Sequence, residues 1–369
     1  MNGVYIHIPF CTSKCPYCDF HSQRCSEALQ TEYVQALLDE ITTLRRVSDF
    51  VNEIHPSDSL YLGGGTPSLL KPSQLRDIIL TSKESLKLTK DCEITVECNP
   101  GSPIEELIEV FKECGVNRTS LGMQSAVDSE RRLLGRVSHK ARIREVISLL
   151  KENGINNISL DIMLGIPGQT KESLTETLQF IEECDIQHIS SYILKIEEGT
   201  HFHRFKEKYN FPDDDASCDL YNHCCDYLEN LGFIHYEISN FAKEGFQSRH
   251  NTKYWTLENY LGIGAAAHSF VDGKRFYFEK DTQAFIDGNK ALFDCEGYTA
   301  EEYIMLRLRL NDGLKLSEVE RLFGKAATKR IRNKAPLFHQ HGLAVFDGEN
   351  FRLTRNGFLI SNTIISEII

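Results

Sequence analysis

The stretch His7-Ile8-Pro9-Phe10-Cys11-Thr12-Ser13-Lys14-Cys15-Pro16-Tyr17-Cys18-Asp19-Phe20 decides how the rest of the chain is read. Its C-x3-C-x2-C spacing supplies three thiolates and stops. A cubane cluster held wholly by protein takes four thiolates, and a closed structural zinc site takes four donors. Three cysteines hold three irons of a [4Fe–4S] cluster and leave the fourth iron open to a small molecule. An open metal position points to ligand exchange or chemistry rather than to a staple. Two blander readings stand beside this one: zinc completed by His7 or His21, and cysteines that only pack. Zinc is disfavoured, because its usual sites are built from two closely spaced cysteine pairs.

Outward from this loop, as far as about residue 200, short β-like runs alternate with amphipathic helical stretches. The pattern predicts strands at Gly3–Pro9, Ser59–Gly63, Glu93–Glu97, Arg118–Gly122, Asn157–Met163 and Gln187–Leu194. Helices are predicted over Glu27–Val47, with Val34, Leu37, Ile41 and Leu44 on one face, and over Ser173–Glu183, with Leu174, Leu178 and Ile181. Pro72 and Pro103 sit where first-turn prolines belong. Strand–helix alternation of this kind implies right-handed βαβ crossovers and a parallel sheet. Six units are too few for a closed eightfold barrel, so the fold class is α/β with a partial (β/α)6 barrel.

In parallel barrels the working residues sit on the loops at the C-terminal ends of the strands. The cysteine loop follows the first predicted strand, and Gly63-Gly64-Gly65-Thr66-Pro67 follows the second. Glu97 closes the third, Gln124 follows the fourth, and Asp161 lies late in the fifth, ahead of Gly165-Ile166-Pro167-Gly168. The glycines remove side chains where a ligand must touch backbone, and their N–H groups suit a carboxylate or phosphate. They do not form the dinucleotide-binding G-x-G-x-x-G pattern. Glu97 and Asp161 suit an amino group and a ribose diol, while Gln124 and Arg136 suit a ligand carboxylate or the support of Glu97. Each alone reads as an ordinary surface group; their shared rim beside three cysteines favours a site.

The bulk of the chain fits this picture. Its 369 residues suit about two domains, and 41% hydrophobic with 25% charged residues is ordinary globular composition. A net charge of −12 argues against a general nucleic-acid binder. Twelve scattered cysteines, no signal-like N-terminus and no long apolar run predict a soluble, cytoplasmic protein in a reducing compartment. Past Glu198 the pattern changes to the acidic Asp213-Asp214-Asp215, a helical run over Tyr221–Leu231 and a polar-aromatic stretch, His235–Tyr260. The C-terminal residues predict a small, mainly helical, winged-helix-like module with a β-like end at Leu343–Leu353. His223, Cys224, Cys225 and Cys218 read as helix packing rather than a second metal site.

Residues 7–20 resemble the cluster loop of the radical S-adenosylmethionine (SAM) superfamily, and Gly63–Pro67 resembles its motif for the methionine amino group. With Val96-Glu97-Cys98-Asn99-Pro100, Gly122-Met123-Gln124-Ser125 and Asp161–Gly168, the chain is similar over nearly its whole length to one branch. That branch holds oxygen-independent coproporphyrinogen III dehydrogenase (oxidase) and heme chaperones of the HemW type. The resemblance implies that Cys11, Cys15 and Cys18 ligate a [4Fe–4S] cluster whose open iron takes SAM. It places Tyr5, Tyr17, Gly64, Gly65, Thr66, Glu97, Gln124, Arg136 and Asp161 around that SAM. It further implies a radical SAM core over 1–200, an extension over 201–295 and the winged-helix-like module over 296–369.

Two departures separate the chain from the dehydrogenase. That enzyme's loop continues to a fourth cysteine where Phe20 stands here, and it carries a long N-terminal extension, whereas this loop begins at His7. His250-Asn251-Thr252-Lys253-Tyr254-Trp255 matches the chaperone's H-N-x-x-Y-W motif, which implies heme with His250 as its ligand. Imidazole is a common axial ligand of heme iron, and Tyr and Trp offer flat surface to a porphyrin. For a lone histidine the ordinary alternative is a capping or core role. The reading is a heme-binding and transfer protein with an acceptor partner, the alternative being coproporphyrinogen oxidation in porphyrin biosynthesis. Contact with membrane-bound acceptors stays open, without an amphipathic or lipidation signal.

Overall fold

The structure is a computed structural model in which residues 2–369 are described. Six parallel strands run in sequence order: β1 (Asn2–Ile8), β2 (Ser57–Gly64), β3 (Leu88–Cys98), β4 (Arg118–Gln124), β5 (Asn157–Leu164) and β6 (His188–Ile193). Each pairs with the next in parallel register, with the crossover helices between them. The crossover helices cover the outward faces of the strands, and Val4, Ile6 and Ile8 of β1 are buried. The helix Glu27–Thr43 buries Tyr33, Val34, Leu37 and Ile41. It starts at Ser26, whose side chain accepts from the Leu29 N–H, and stops at Leu44 in the left-handed region, short of the predicted Val47. Pro72 opens its helix as expected, whereas Pro103 leads into a 3-10 turn, Ile104–Leu107, before the helix proper.

Residues past 201 extend the sheet. A hairpin of β7 (Ile234–Glu237) and β8 (Asn240–Ala242) adds antiparallel to β6. On the other side β9 (Tyr260–Ile263) lies parallel to β1, followed by antiparallel β10 (His268–Val271), β11 (Lys274–Tyr277) and β12 (Leu292–Glu296). The parallel set is therefore one strand larger than the sequence predicts. The sheet order runs β12-β11-β10-β9-β1-β2-β3-β4-β5-β6-β8-β7, so the barrel has two ends and stays open. The C-terminal region is mainly helical with its own core, including Ile304, Leu316, Ile331, Phe351 and Leu353. Its small sheet joins β13 (Leu314–Lys315), β14 (Ala344–Phe346) and β15 (Asn350–Leu353) in the order β13-β15-β14, as a winged-helix-like module requires.

The H-N-x-x-Y-W motif forms the helix Arg249–Thr256, which plugs the N-terminal end of the barrel. Its first N–H groups, from Arg249 and His250, each lie 3.1 Å from the Glu93 carboxylate on β3. Lys253 pairs with Asp58 and Glu258 at 2.9 Å. Among the described residues no helix is long and apolar enough to cross a membrane.

Tyr33 joins the first crossover helix to the C-terminal ends of the neighbouring strands β1 and β9. Its buried hydroxyl donates to the His7 carbonyl and accepts from the Ala265 N–H, each at 2.9 Å. Tyr33→Phe leaves two buried backbone groups without a partner, and is expected to lower the unfolding free energy by about 1–3 kcal/mol in chemical denaturation. A loss under about 0.5 kcal/mol would show that water replaces the hydroxyl.

Candidate cofactor site

The cysteine loop leaves β1 at Ile8 and folds over the C-terminal rim of the barrel. The Cys11 N–H donates to the Gln23 carbonyl at 3.0 Å and the Cys18 N–H to the Cys15 carbonyl at 3.2 Å. All three thiols are free and half-buried, and Cys11 Sγ lies 3.4 Å from Thr66 Oγ1. Among the described residues no group of three His, Cys, Asp or Glu side chains converges as a single metal ion demands. A cubane sets each thiolate on a different iron, so three spread thiols on one loop fit it better than they fit zinc.

The glycine turn that ends β2 packs directly under this loop. A Cβ on Gly65 would stand 2.7 Å from the Phe10 carbonyl oxygen, and one on Gly64, at φ 108°, would lie 2.5 Å from the His7 ring. Their N–H groups do not face a ligand, contrary to the sequence expectation. Gly65 donates to the Ile8 carbonyl at 2.8 Å and Gly64 to Glu97 Oε2 at 3.1 Å. Tyr61 donates to the other oxygen of Glu97 at 2.8 Å. Burial outweighs these bonds and pushes the Glu97 carboxyl up to about 7. Burial likewise raises Asp161, which accepts from Ser120 Oγ at 3.0 Å.

Gln124 ends β4 with φ 71°, beside a register shift against β5. A left-handed backbone at a non-glycine residue costs energy and needs its surroundings to hold it. Arg136 reaches across from the following loop, its Nη2 donating to the Tyr17 hydroxyl at 2.9 Å. The cluster loop and the fourth strand are thereby tied through two of the predicted residues.

These side chains line one cavity of about 610 Å³, within the range of small-molecule sites. Cys11, Cys15, Cys18, Tyr17 and Thr66 border its mouth, and Gly64, Gly65, Glu97, Gln124, Arg136 and Asp161 its walls. Strand periodicity accounts for the walls: residues 118, 120, 122 and 124 of β4, with 161 and 163 of β5, point inward at every second position. The mouth carries exposed apolar side chains, Phe20 at 66% and Val137 at 88% beside Tyr192 and Ile193, among polar ones that include Asp19 and Lys195.

Two predicted residues lie outside this lining. Tyr5 shares a hydrogen bond with His7 Nδ1 at 3.0 Å, behind the wall. His250 is 1% exposed, with Nδ1 3.0 Å from Ser59 Oγ and Nε2 2.8 Å from the Tyr254 hydroxyl. Its ring stacks at 5.2 Å on Tyr61, so both nitrogens and one face are engaged. Its neighbour Asn251 lines the cavity instead, as do Arg118, Tyr61 and Tyr192, which the sequence reading did not single out. The one signal for Arg118 was a charged residue at an inward position of an otherwise uncharged strand. Cys224 is buried 3.6 Å from Ser191 Oγ, and His223 bonds Thr175 at 2.8 Å, which are packing contacts.

Comparison with known proteins agrees with this geometry. Residues 5–181 match the radical SAM superfamily and residues 299–360 the HemN C-terminal domain. Heme chaperone HemW of Haemophilus influenzae is 32% identical, covering 98% of this chain and 96% of its own. Heme chaperone HemW of Bacillus subtilis is also 32% identical, covering 100% and 99%. The solved structure of coproporphyrinogen III oxidase (HemN) from Escherichia coli superposes with a TM-score of 0.83 over 99% of this chain and 89% of that one. At 22% identity that likeness speaks for the fold alone. With its three-cysteine loop, its open parallel barrel and these full-length relatives, the chain belongs to the radical SAM superfamily and, within it, to the HemW family.

Proposed function

We propose that this protein binds heme and passes it to an acceptor protein, while carrying a [4Fe–4S] cluster on Cys11, Cys15 and Cys18 and an exchangeable SAM. One observation carries the reading: three free cysteines stand at the mouth of a 610 Å³ cavity with exposed apolar side chains at its edge. The thiols suit a cluster with one open iron, the polar walls suit SAM, and the apolar side chains at the edge suit the passage of a flat porphyrin into the lumen. The relatives' name, heme chaperone, supports the same cargo. Free cysteines throughout favour the reducing cytoplasm. A division near residues 200 and 295 into core, extension and C-terminal module goes with this reading.

When bound, the cluster supplies a low-potential electron at the SAM sulfonium. The chain's own residues bind and orient. Glu97 takes the amino group and Asp161 the ribose, Arg136 steadied by Tyr17 takes the carboxylate, and Gln124 and Thr66 close the sides. Gly64 and Gly65 border the ligand with backbone and seat the turn under the cysteine loop, and Tyr5 supports the wall through His7. His250 is proposed as the heme ligand. Burial holds its ring down to about 3, so it stays in the neutral form that binds iron, but Nε2 must first leave Tyr254.

Oxidation of coproporphyrinogen is the second reading, favoured by the shared fold and opposed by Phe20 in place of a fourth cysteine. Anaerobically purified protein is expected to hold about four irons per chain and to form no protoporphyrinogen from coproporphyrinogen, SAM and reductant at catalytic rates. Sustained turnover would make the enzyme reading the right one.

Glu97 gives a pH signature. With its pKa raised to about 7 in the ligand-free protein, its contribution to stability is present below the unfolded value and lost as pH rises through 7. SAM's ammonium needs the ionised form, so SAM affinity is expected to fall about tenfold per pH unit below 7. Glu97→Gln should weaken binding and flatten the profile in equilibrium dialysis. A wild-type profile flat between pH 5.5 and 8 (roughly the window set by the shift) would remove Glu97 from the amino group.

For heme, His250→Ala is expected to weaken the Soret shift and Tyr254→Phe to leave or strengthen it by freeing Nε2. If His250→Ala lowers Tm yet binds heme as before, His250 only anchors the plug helix.

A further inference from the structure

Arg118 opens β4 six residues before Gln124, on the same inward face. At about 3.3 Å per residue its backbone lies roughly 20 Å down the lumen from the rim. It is 1% exposed, and its Nε and Nη1 are buried without a hydrogen-bond partner. Among the described residues it forms no ion pair, although two acids face the same lumen. Both are committed elsewhere: Glu97 to Tyr61 and Gly64, and Asp161 to Ser120. Behind it, His188 and Tyr236 bond each other at 2.8 Å. Facing it from the plug helix, Asn251 lines the same cavity. A guanidinium with two buried donors left unpartnered is costly, and it is the planar, permanently charged group best matched to a carboxylate.

We propose that Arg118 and Asn251 form a carboxylate socket at the floor of the lumen, and that the carboxylate it takes is a heme propionate. Guanidinium and carboxylate pair through two parallel N–H···O bonds, with the Asn251 carboxamide free to donate a third. A carboxylate suits the floor better than a phosphate, since a doubly charged anion would also face Glu97 and Asp161. The inference rests on the heme reading and deepens it: the plug helix would hold the iron end through His250, and β4 together with the same helix would hold the acid end. SAM also carries a carboxylate, so the test must tell the two apart.

The test titrates heme and heme dimethyl ester, whose propionates are blocked, against the full-length holoprotein and its Arg118→Met and Arg118→Lys variants. SAM binding is measured on the same samples by equilibrium dialysis. The wild type is expected to prefer heme over the ester by on the order of ten- to a hundredfold, the worth of a charge-assisted pair. Arg118→Met should erase that preference with SAM affinity unchanged, and Arg118→Lys should restore part of it. If Arg118→Met does not fold, Asn251→Leu makes the same comparison, with a reduced preference expected. A preference that survives in these variants overturns the socket and leaves water as the guanidinium's partner. Loss of SAM affinity with the heme preference intact overturns it too, and assigns Arg118 to SAM's carboxylate. A wild type that binds heme without preferring it to the ester overturns the socket alone. A wild type that binds neither porphyrin overturns the heme reading itself, and the socket with it.

Discussion

The site depends on one close approach of backbone to backbone, where the glycine turn after β2 lies against residues 7–10. A methyl group on Gly65 would overlap the Phe10 carbonyl at 2.7 Å, and one on Gly64 would run into the His7 ring. This contact places Thr66 beneath Cys11 and turns the Gly64 N–H toward Glu97. Loop, turn and acid therefore move as one unit. A side chain at either glycine would displace the cluster loop from the cavity wall, and φ 108° at Gly64 adds a backbone reason for glycine there.

Below that contact the lumen holds a row of desolvated polar groups, and its two acids are each held by a neighbour on the next strand. Tyr61 of β2 bonds Glu97 of β3, and Ser120 of β4 bonds Asp161 of β5. Such cross-strand pairs keep the acids in place without neutralising them, and burial then raises both. The plug helix closes the bottom, its N-terminus on Glu93 and its Lys253 on Asp58. On the proposed reading the walls would take a ligand's ammonium group and the floor its anion.

Much of this was legible in the sequence. The six parallel strands were legible because their outward positions are apolar under the crossover helices, while buried polar residues recur at every second, lumen-facing position. The rim residues were legible because βα loops fall at fixed places after such strands. What was not legible had local reasons. Tyr260–Ile263 is four residues long, too short for periodicity to mark, and only pairing with β1 makes it a strand. Gly64 and Gly65 looked like donors for a ligand, but donors at a tight turn are taken by the nearest acceptors, here Glu97 and Ile8. Arg118 was passed over because a single arginine in a sequence ordinarily finds an ion pair. Only the three-dimensional packing reveals that the nearby acids are engaged elsewhere.

The H-N-x-x-Y-W motif is where sequence and structure pull furthest apart, and helix geometry explains why. Neighbouring residues on a helix project about 100° from each other, so His250 and Asn251 cannot both face the lumen. The helix is fixed in rotation by Glu93 at its start and by the buried Lys253, which turn His250 into the wall against Ser59 and Tyr61. Asn251 then faces the cavity by necessity. The His250–Tyr254 bond spans one helical turn and opens by side-chain movement alone, so Nε2 is released without unwinding the helix or breaking its contacts with Glu93 and Asp58, and Asn251 keeps its place on the cavity. A motif read as one ligand site is, on this backbone, an imidazole in the wall and a carboxamide on the cavity, on two faces of one helix.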